Sequence, residues 1–341
     1  MTGIYTNRSP RMLYVDNRGI TDPHVNLALE EYVLRHRFPG EDCLLFYVNA
    51  PAIIIGRNQN TVEEVNEATV RARGIHVVRR VSGGGAVYHD LGNLNFSFIT
   101  AYAPDRFNRY DHFLGPVIAE LRALGVPAEL GGRNDVVADG RKISGNAQFT
   151  TAGRMFSHGT LLYDTDLDAV AAALTPKPGK VESKGHKSVR SRVANIREFL
   201  PEPLGVDELR RRLVARIFAD YAEVPTLALD EGDWAAVAEL VRTKYGTWEW
   251  NYGKSPACNV QRARRFPAGE IDVRIDVQEG RIAAVRFLGD YIGRREVTEL
   301  EERLVGVRYD APSVAAALEG VDLEEYFGAI EPAEVRALLH G

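Results

Sequence analysis

Apolar positions along the chain recur at two spacings, and the switches between them mark out the elements. After Asp22-Pro23, a cap and first-turn signal, Val25, Ala28, Leu29, Tyr32 and Val33 fall on one face of a predicted helix. Leu13–Asp16, "CLLFYVN" and "AIIIGR" are short apolar runs that predict strands, the last two separated by the turn signal Asn49-Ala50-Pro51. "VEEVNEATVRARG" predicts a helix closed by Gly74. "IHVVRR" and "NLNFSFIT" predict two more strands, the second with Leu94, Phe96 and Phe98 alternating. "RYDHFLGPVIAELRALGV" is an amphipathic helix ending at Gly125. In "AELGGRNDVVADGRKISGNAQF" two strand-like pieces flank the hairpin signal Asp139-Gly140, and "RMFSHGTLLYD" supplies the next strand.

The periodicity then stops. Thr175–Ser191, "TPKPGKVESKGHKSVRS", holds prolines, glycines and five cations against the single Glu182, a composition that predicts a basic functional lid or a solvated charged loop. "VDELRRRLVARIFADYA" and "WAAVAELVRTKYG" restore the helical period, with Val206, Leu209, Leu213 and Ile217 facing inward in the first. "TWEWNYGKSP" breaks it again and places a domain boundary, giving residues 1–247 and 254–341. Beyond it Ile271, Val273, Ile275 and Val277 alternate with charged residues as a half-buried antiparallel strand. "QEGR" turns into "IAAVRFLGD", and short helices near 296–307, 312–319 and 331–340 complete a small α+β unit.

Composition narrows the class only a little. The 341 residues are 45% hydrophobic and 26% charged, which suits a soluble globular protein with a sizeable core. The net charge of -5 argues against general nucleic-acid binding. No stretch approaches the roughly 20 apolar residues of a membrane span, and the N-terminus has no apolar leader. Cys43 and Cys258 lie far apart without metal-ligand or disulfide spacing, so a cytoplasmic location is expected.

The chemistry concentrates in "RRVSGGGAVYHDLGN", Arg79 to Asn93. It lacks both the Walker and the Rossmann glycine patterns, and it joins strand to strand, so no helix dipole stands behind it. The run Gly83-Gly84-Gly85 is either a glycine-rich hairpin turn or a backbone pressed close to a ligand. "GRNDVVADGRKISGNAQ" adds Asn134-Asp135 and, past the hairpin, Lys142. Each of these alone reads as a turn cap or a solvated edge residue. Together with the basic lid they suggest a slot for an aliphatic chain beside a phosphate.

In combination, "RRVSGGGAVYHDLGN", "GRNDVV", "RKISGNA", "SHGTLL", "KSVRSRVANI" and "WEWNYG" resemble the bacterial lipoate–protein ligases of the long type, over nearly the whole chain. The resemblance implies an α+β fold, with a central mixed sheet flanked by helices, shared with biotin protein ligases, and a small α+β C-terminal domain. It implies that lipoate is activated by ATP and Mg2+ to lipoyl-AMP and passed to a lysine, as in lipoate salvage. The acceptors would be lipoyl domains of 2-oxoacid dehydrogenase E2 subunits and the glycine cleavage H protein, and the enzyme a monomer. Carried over by position, Arg80, Ser82, Gly83, Gly84, Gly85, Ala86, His89, Ser144, Gly145 and His158 would line the lipoyl pocket. Asn93, Asn134, Asp135, Lys184, Gly185, Ser188, Val189 and Arg190 would serve the nucleotide, with Asp135 as the magnesium candidate. Lys142 would lie between the lipoyl carbonyl and the phosphate as the catalytic cation. Three rivals remain open: an octanoyltransferase working through a cysteine thioester, a lipoyltransferase using only preformed lipoyl-AMP, and a non-catalytic lipoate-binding module.

Overall fold

The computed structural model describes residues 12–36, 41–59, 61–174, 192–202, 204–252, 260–278, 280–309 and 311–340. In chain order its strands are β1 (Met12–Val15), β2 (Asp42–Val48), β3 (Ala52–Ile55), β4 (His76–Arg79), β5 (Val87–His89), β6 (Asn93–Ala101), β7 (Ala128–Gly131), β8 (Asp135–Ala138), β9 (Arg141–Thr151), β10 (Arg154–Leu162), β11 (Thr226–Leu227), β12 (Val260–Phe266), β13 (Gly269–Gln278) and β14 (Arg281–Gly289). The chain divides into two compact units, Met1–Pro51 with His89–Asp168 and His186–Thr243, and Ala52–Tyr88 with Ala169–Gly185 and Lys244–Gly341.

The first unit is built on a mixed sheet in the order β11-β1-β2-β6-β10-β9-β8-β7. β11, β1 and β2 run parallel, and the remaining pairings are antiparallel. Leu44, Phe46, Leu94, Phe96 and Phe98 point to one face and pack on Phe113, Leu114, Val117 and Leu121 of the helix Tyr110–Ala123 and on Leu209 and Leu213 of the helix Val206–Ile217. The helix Pro23–His36 starts where Asp22-Pro23 predicts, with the Asp22 carboxylate accepting from the His24 amide at 2.8 Å. The Asp139-Gly140 hairpin also forms, both residues at positive φ (48° and 72°) as a tight two-residue turn requires. The segment before it holds two strands where one was expected, because Ala128–Gly131 pairs with β8.

β6 departs from its alternating pattern in a telling way. Leu94, Phe96 and Phe98 are buried as expected, but Asn93, Asn95 and Ser97 between them are also at most 1% exposed. The strand sits between β2 and β10, and helices cover both of its faces: Val206–Ile217 on the side of Phe96 and Phe98, and Pro23–His36 on the side of Ser97, where Glu30 reaches His158.

The second unit contains two smaller sheets. One has the order β4-β3-β5, so Asn49-Ala50-Pro51 does not close a hairpin: β2 and β3 belong to different sheets. The predicted helix after Asn60 is two pieces, Thr61–Glu64 and Glu67–Arg73, because Asn66 breaks it by capping the Thr69 amide. Gly74 closes it in the left-handed conformation. The other sheet is the antiparallel β12-β13-β14, with Ile271, Val273, Ile275 and Phe287 in its core, and the helices Thr298–Leu304, Ala311–Ala317 and Pro332–His340 follow it. A single helical turn, Glu324–Phe327, was not foreseen.

Arg79 ties the segment Trp248–Asn251 to β4. Its buried guanidinium donates to the carbonyls of Gly56, Arg57, Gln59, Trp250 and Asn251 and to the Thr61 hydroxyl, at 2.7–3.3 Å. In return the Trp250 indole donates to the Arg79 carbonyl and the Arg79 amide to the Asn251 side chain. Burial pushes the guanidinium down to about 10, so it is charged at neutral pH. Hydrogen bonds to a charged group are worth about 1.5–3 kcal/mol each, and orphaned carbonyls add their own cost. Arg79→Ala is therefore expected to lower the unfolding free energy by at least ~3 kcal/mol in urea titrations. Arg79→Lys should recover only part of it, having fewer donors and no planar fork.

Candidate active site

Lys142 owes its position to an irregularity in β9. The β8–β9 register pairs Val137 with Lys142 but Val136 with Ser144, so Ile143 is an extra residue. Ile143 and Ser144 both turn to the core side with Val136, while Lys142 and Gly145 share the side of Asp135. The Lys142 ammonium lies 2.8 Å from Asp135 Oδ1, with both side chains about one-third exposed (38% and 33%). A Cβ at Gly145 would fall 2.9 Å from Lys142 Nζ and 3.0 Å from its Cε. The glycine of "KISG" thus makes room for the lysine across it. On its other edge Lys142 is bracketed by Arg192–Ala194: its amide donates to the Arg192 carbonyl and its carbonyl accepts from the Ala194 amide, each at 2.9 Å.

Asn134 and Asn146 lock the same hairpin. The Asn134 side chain donates to the Asn146 carbonyl, and Asn146 returns both its amide (3.1 Å) and its side-chain NH2 (2.9 Å) to the Asn134 carbonyl. Asn146 also donates to the buried Ser144 hydroxyl at 3.1 Å, so Ser144 does not join the face of Lys142. Gly159 on β10 faces Asn146: a Cβ there would lie 1.9 Å from Asn146 Oδ1 and 2.7 Å from the Phe96 ring.

The polar face of β6 belongs to this side of the sheet. Ser97 is directly opposite His158, whose Nδ1 lies 3.0 Å from Oε1 of the buried Glu30. His89 is 3% exposed and its Nδ1 lies 3.0 Å from the Asn49 NH2. Asn93 donates to Asn95, and Asn95 to the Tyr47 carbonyl. Asn93 Oδ1 and Ser97 Oγ are buried without a partner among the described protein groups. Buried polar atoms are nearly always paired, with protein, ordered water or a ligand. The sequence marks Asn49 only as part of a turn and Asn146 only as the end of "KISGN", and nothing in it singles out Asn95, Ser97 or Glu30.

Arg80, Ser82, Gly83, Gly84, Gly85 and Ala86 lie in the second unit. β3 runs between β4 and β5, so their loop is not a hairpin turn. Arg80 shapes it from within, donating to Ser82 Oγ and to the carbonyls of Ile54, Gly83 and Gly85. Two of the three glycines answer to constraints within the protein, and the third does not. A Cβ at Gly83 would lie 2.5 Å from the Tyr291 carbonyl oxygen; Gly84 has φ +90°; Gly85 faces open space. Lys184, Gly185, Ser188, Val189 and Arg190, with the whole basic stretch Thr175–Ser191, lie outside the described residues.

Two chemistries can be weighed on this geometry. Cys43 is fully buried in β2, and burial pushes its thiol up to about 12, so it carries no thiolate at neutral pH; Cys258 is outside the described residues. A partly exposed ammonium, held in place by a carboxylate and a glycine, suits a site that stabilises negative charge.

Residues 22–218 match the lipoyl protein ligase A/B catalytic domain and residues 255–339 the bacterial lipoate protein ligase C-terminus. The chain belongs to the lipoate–protein ligase family. It is 51% identical over 331 residues to the Bacillus subtilis (strain 168) lipoate-protein ligase LplJ, covering 96% of this chain and 100% of that one. Among solved structures, P. falciparum LipL1 in complex with lipoate superposes with a TM-score of 0.77 at 23% identity, covering 96% of this chain and 98% of that one, which bears on the fold. A lipoate-protein ligase A bound with ATP gives 0.60 at 30% identity, covering 72% of this chain and 99% of that one.

Gly145→Ala tests the placement of Lys142. The atom in the way is the end of a flexible side chain, so the fold should tolerate the methyl, and an exposed ion pair is worth about 0–1 kcal/mol. Unfolding should shift by less than about 1 kcal/mol, while a crystal structure should show the ammonium displaced from Asp135.

Proposed function

We propose that this chain is an ATP-dependent lipoate–protein ligase that activates lipoate as lipoyl-AMP and then acylates a lysine of a lipoyl domain. In the first step a lipoate carboxylate oxygen bonds to the α-phosphorus as the bond to pyrophosphate breaks. In the second, the acceptor's neutral ε-amine attacks the acyl carbon, AMP leaves with the bonding electrons, and the nitrogen releases a proton. Negative charge builds on the acyl oxygen and on phosphate oxygens in turn, and Lys142 stabilises it in both steps. The observation that carries this reading is the Lys142 ammonium, fixed by Asp135 and Gly145 on the polar side of the sheet.

ATP enters as its magnesium complex. Among the described residues no three His, Cys, Asp or Glu side chains gather as a metal site. Magnesium brought by a nucleotide needs only one or two protein carboxylates, and Asp135 is the one we assign. The glycine loop with Arg80, Ser82 and Ala86 serves the acyl chain, as do His89, His158 and Gly145, while Ser144, turned to the core, supports the strand that carries Gly145. Asn93, Asn134 and the stretch Lys184–Arg190 serve the adenylate. Residues 1–247 form the catalytic domain and 254–341 the accessory domain, a division supported by the two family matches. The acceptors are E2 lipoyl domains and the glycine cleavage H protein. The enzyme works as a monomer in the cytoplasm; among the described residues no helix is long and apolar enough to cross a membrane.

Lys142→Ala is expected to lower both ATP–pyrophosphate exchange with lipoate and acceptor lipoylation by on the order of 10²–10³, with an unchanged unfolding curve. Near-normal rates from the folded variant would remove Lys142 from the chemistry. The thioester alternative has a separate test. The Cys43→Ser, Cys258→Ser double variant should keep ATP-dependent lipoylation, and the unsubstituted protein should take no octanoyl group from acyl carrier protein without ATP. A covalent octanoyl-enzyme adduct in the mass spectrum would sink the ligase assignment.

A further inference from the structure

Asn17, Asn26, Asn49 and His89 form a continuous buried chain of hydrogen bonds, none of the four more than 4% exposed. The chain has a direction, set at its far end by main-chain groups that can act in only one sense. The Gly19 amide donates to Asn17 Oδ1 at 3.2 Å, and the Ile20 carbonyl accepts from the Asn17 NH2 at 2.9 Å. Asn17 therefore presents its NH2 to Asn26 Oδ1, at 3.1 Å. The Asn26 NH2 donates to the same Ile20 carbonyl and to Asn49 Oδ1, each at 2.9 Å. That leaves the Asn49 NH2 facing His89 Nδ1 at 3.0 Å. Turning over any one amide would set two oxygens, or two NH2 groups, against each other in a dry interior.

We propose that Asn49 is a positioning residue that holds His89 with Nδ1 as acceptor and its proton on Nε2, so that His89 serves as a fixed hydrogen-bond donor and not as a base. This rests on the assignment of His89 to the substrate pocket. The other pocket histidine is set the opposite way. The Glu30 carboxylate can only accept, so it keeps the proton of His158 on Nδ1. The two histidines are thereby given different capacities by their partners: one amide, one carboxylate. A donor at His89 suits a substrate whose reacting groups are a carboxylate and a phosphate, both rich in acceptors.

The tautomer can be read directly. Two-bond ¹⁵N–¹H NMR of the unsubstituted protein, labelled at its histidines, should show His89 with a protonated Nε2 and a bare Nδ1 at neutral pH. His89→Gln supplies the assignment by loss of its signals. A protonated Nδ1, or an even mixture of the two forms, would overturn the proposal without any functional assay. Asn49→Asp replaces the NH2 by an acceptor of the same shape and should draw the proton to Nδ1. In that variant kcat for lipoate adenylation should fall by on the order of 10²-fold, with KM for lipoate changed less than about threefold. A folded variant with a switched tautomer and normal kcat would overturn the catalytic part. If the unsubstituted protein shows the expected tautomer but forms no lipoyl-AMP, the ligase reading fails and the tautomer lock stands.

Discussion

Burying a strand on both faces removes water from its polar side as thoroughly as from its apolar side, and β6 imposes that condition on the first unit. Its apolar side is served by Phe113, Leu114 and Val117. The other side carries Asn93, Asn95 and Ser97, which must find partners or remain unsatisfied at about 1–3 kcal/mol each. Some find them, as Asn95 does at the Tyr47 carbonyl. Asn93 Oδ1 and Ser97 Oγ do not find one among the described groups. Ordered water or a bound ligand with matching groups would satisfy them. His158 and Glu30 complete the same face, so the polar side of the sheet is coherent across strands.

Space is apportioned by glycines, and three of them answer to three different neighbours. Gly145 yields room to an ammonium, Gly159 to an amide and an aromatic ring, and Gly83 to a carbonyl from Tyr291. Gly85 alone of its run meets nothing within 4 Å. Sequence treats the run as one motif. The structure separates a packing requirement, a backbone conformation and an open side.

Much of this was legible beforehand, and the boundary of legibility has a physical cause. Asp22-Pro23, Gly74 and Asp139-Gly140 are local signals whose meaning depends on a few bonds, and each formed where expected. The pattern of β6 identified a strand but not its second buried face, because burial depends on which helices pack over each side. Lys142 and Asp135 could be named from motif resemblance. Their contact could not, because it depends on the extra residue Ile143, and a bulge leaves no periodic trace. The asparagine chain to His89 is invisible for the same reason: Asn17, Asn26, Asn49 and His89 come from separate segments. In sequence Asn49 reads only as part of a turn.

Arg79 offers a last consequence. Five of its six acceptors are main-chain carbonyls, and a carbonyl is the same whichever side chain stands beside it. So far as this contact goes, positions 57 and 59 can drift in sequence without weakening the grip, whereas Trp250 also returns its indole N–H to the Arg79 carbonyl. Position 79 cannot, since the alphabet holds no second planar five-donor cation. The joint is asymmetric in its tolerance: one immovable letter read against a backbone that many spellings can supply.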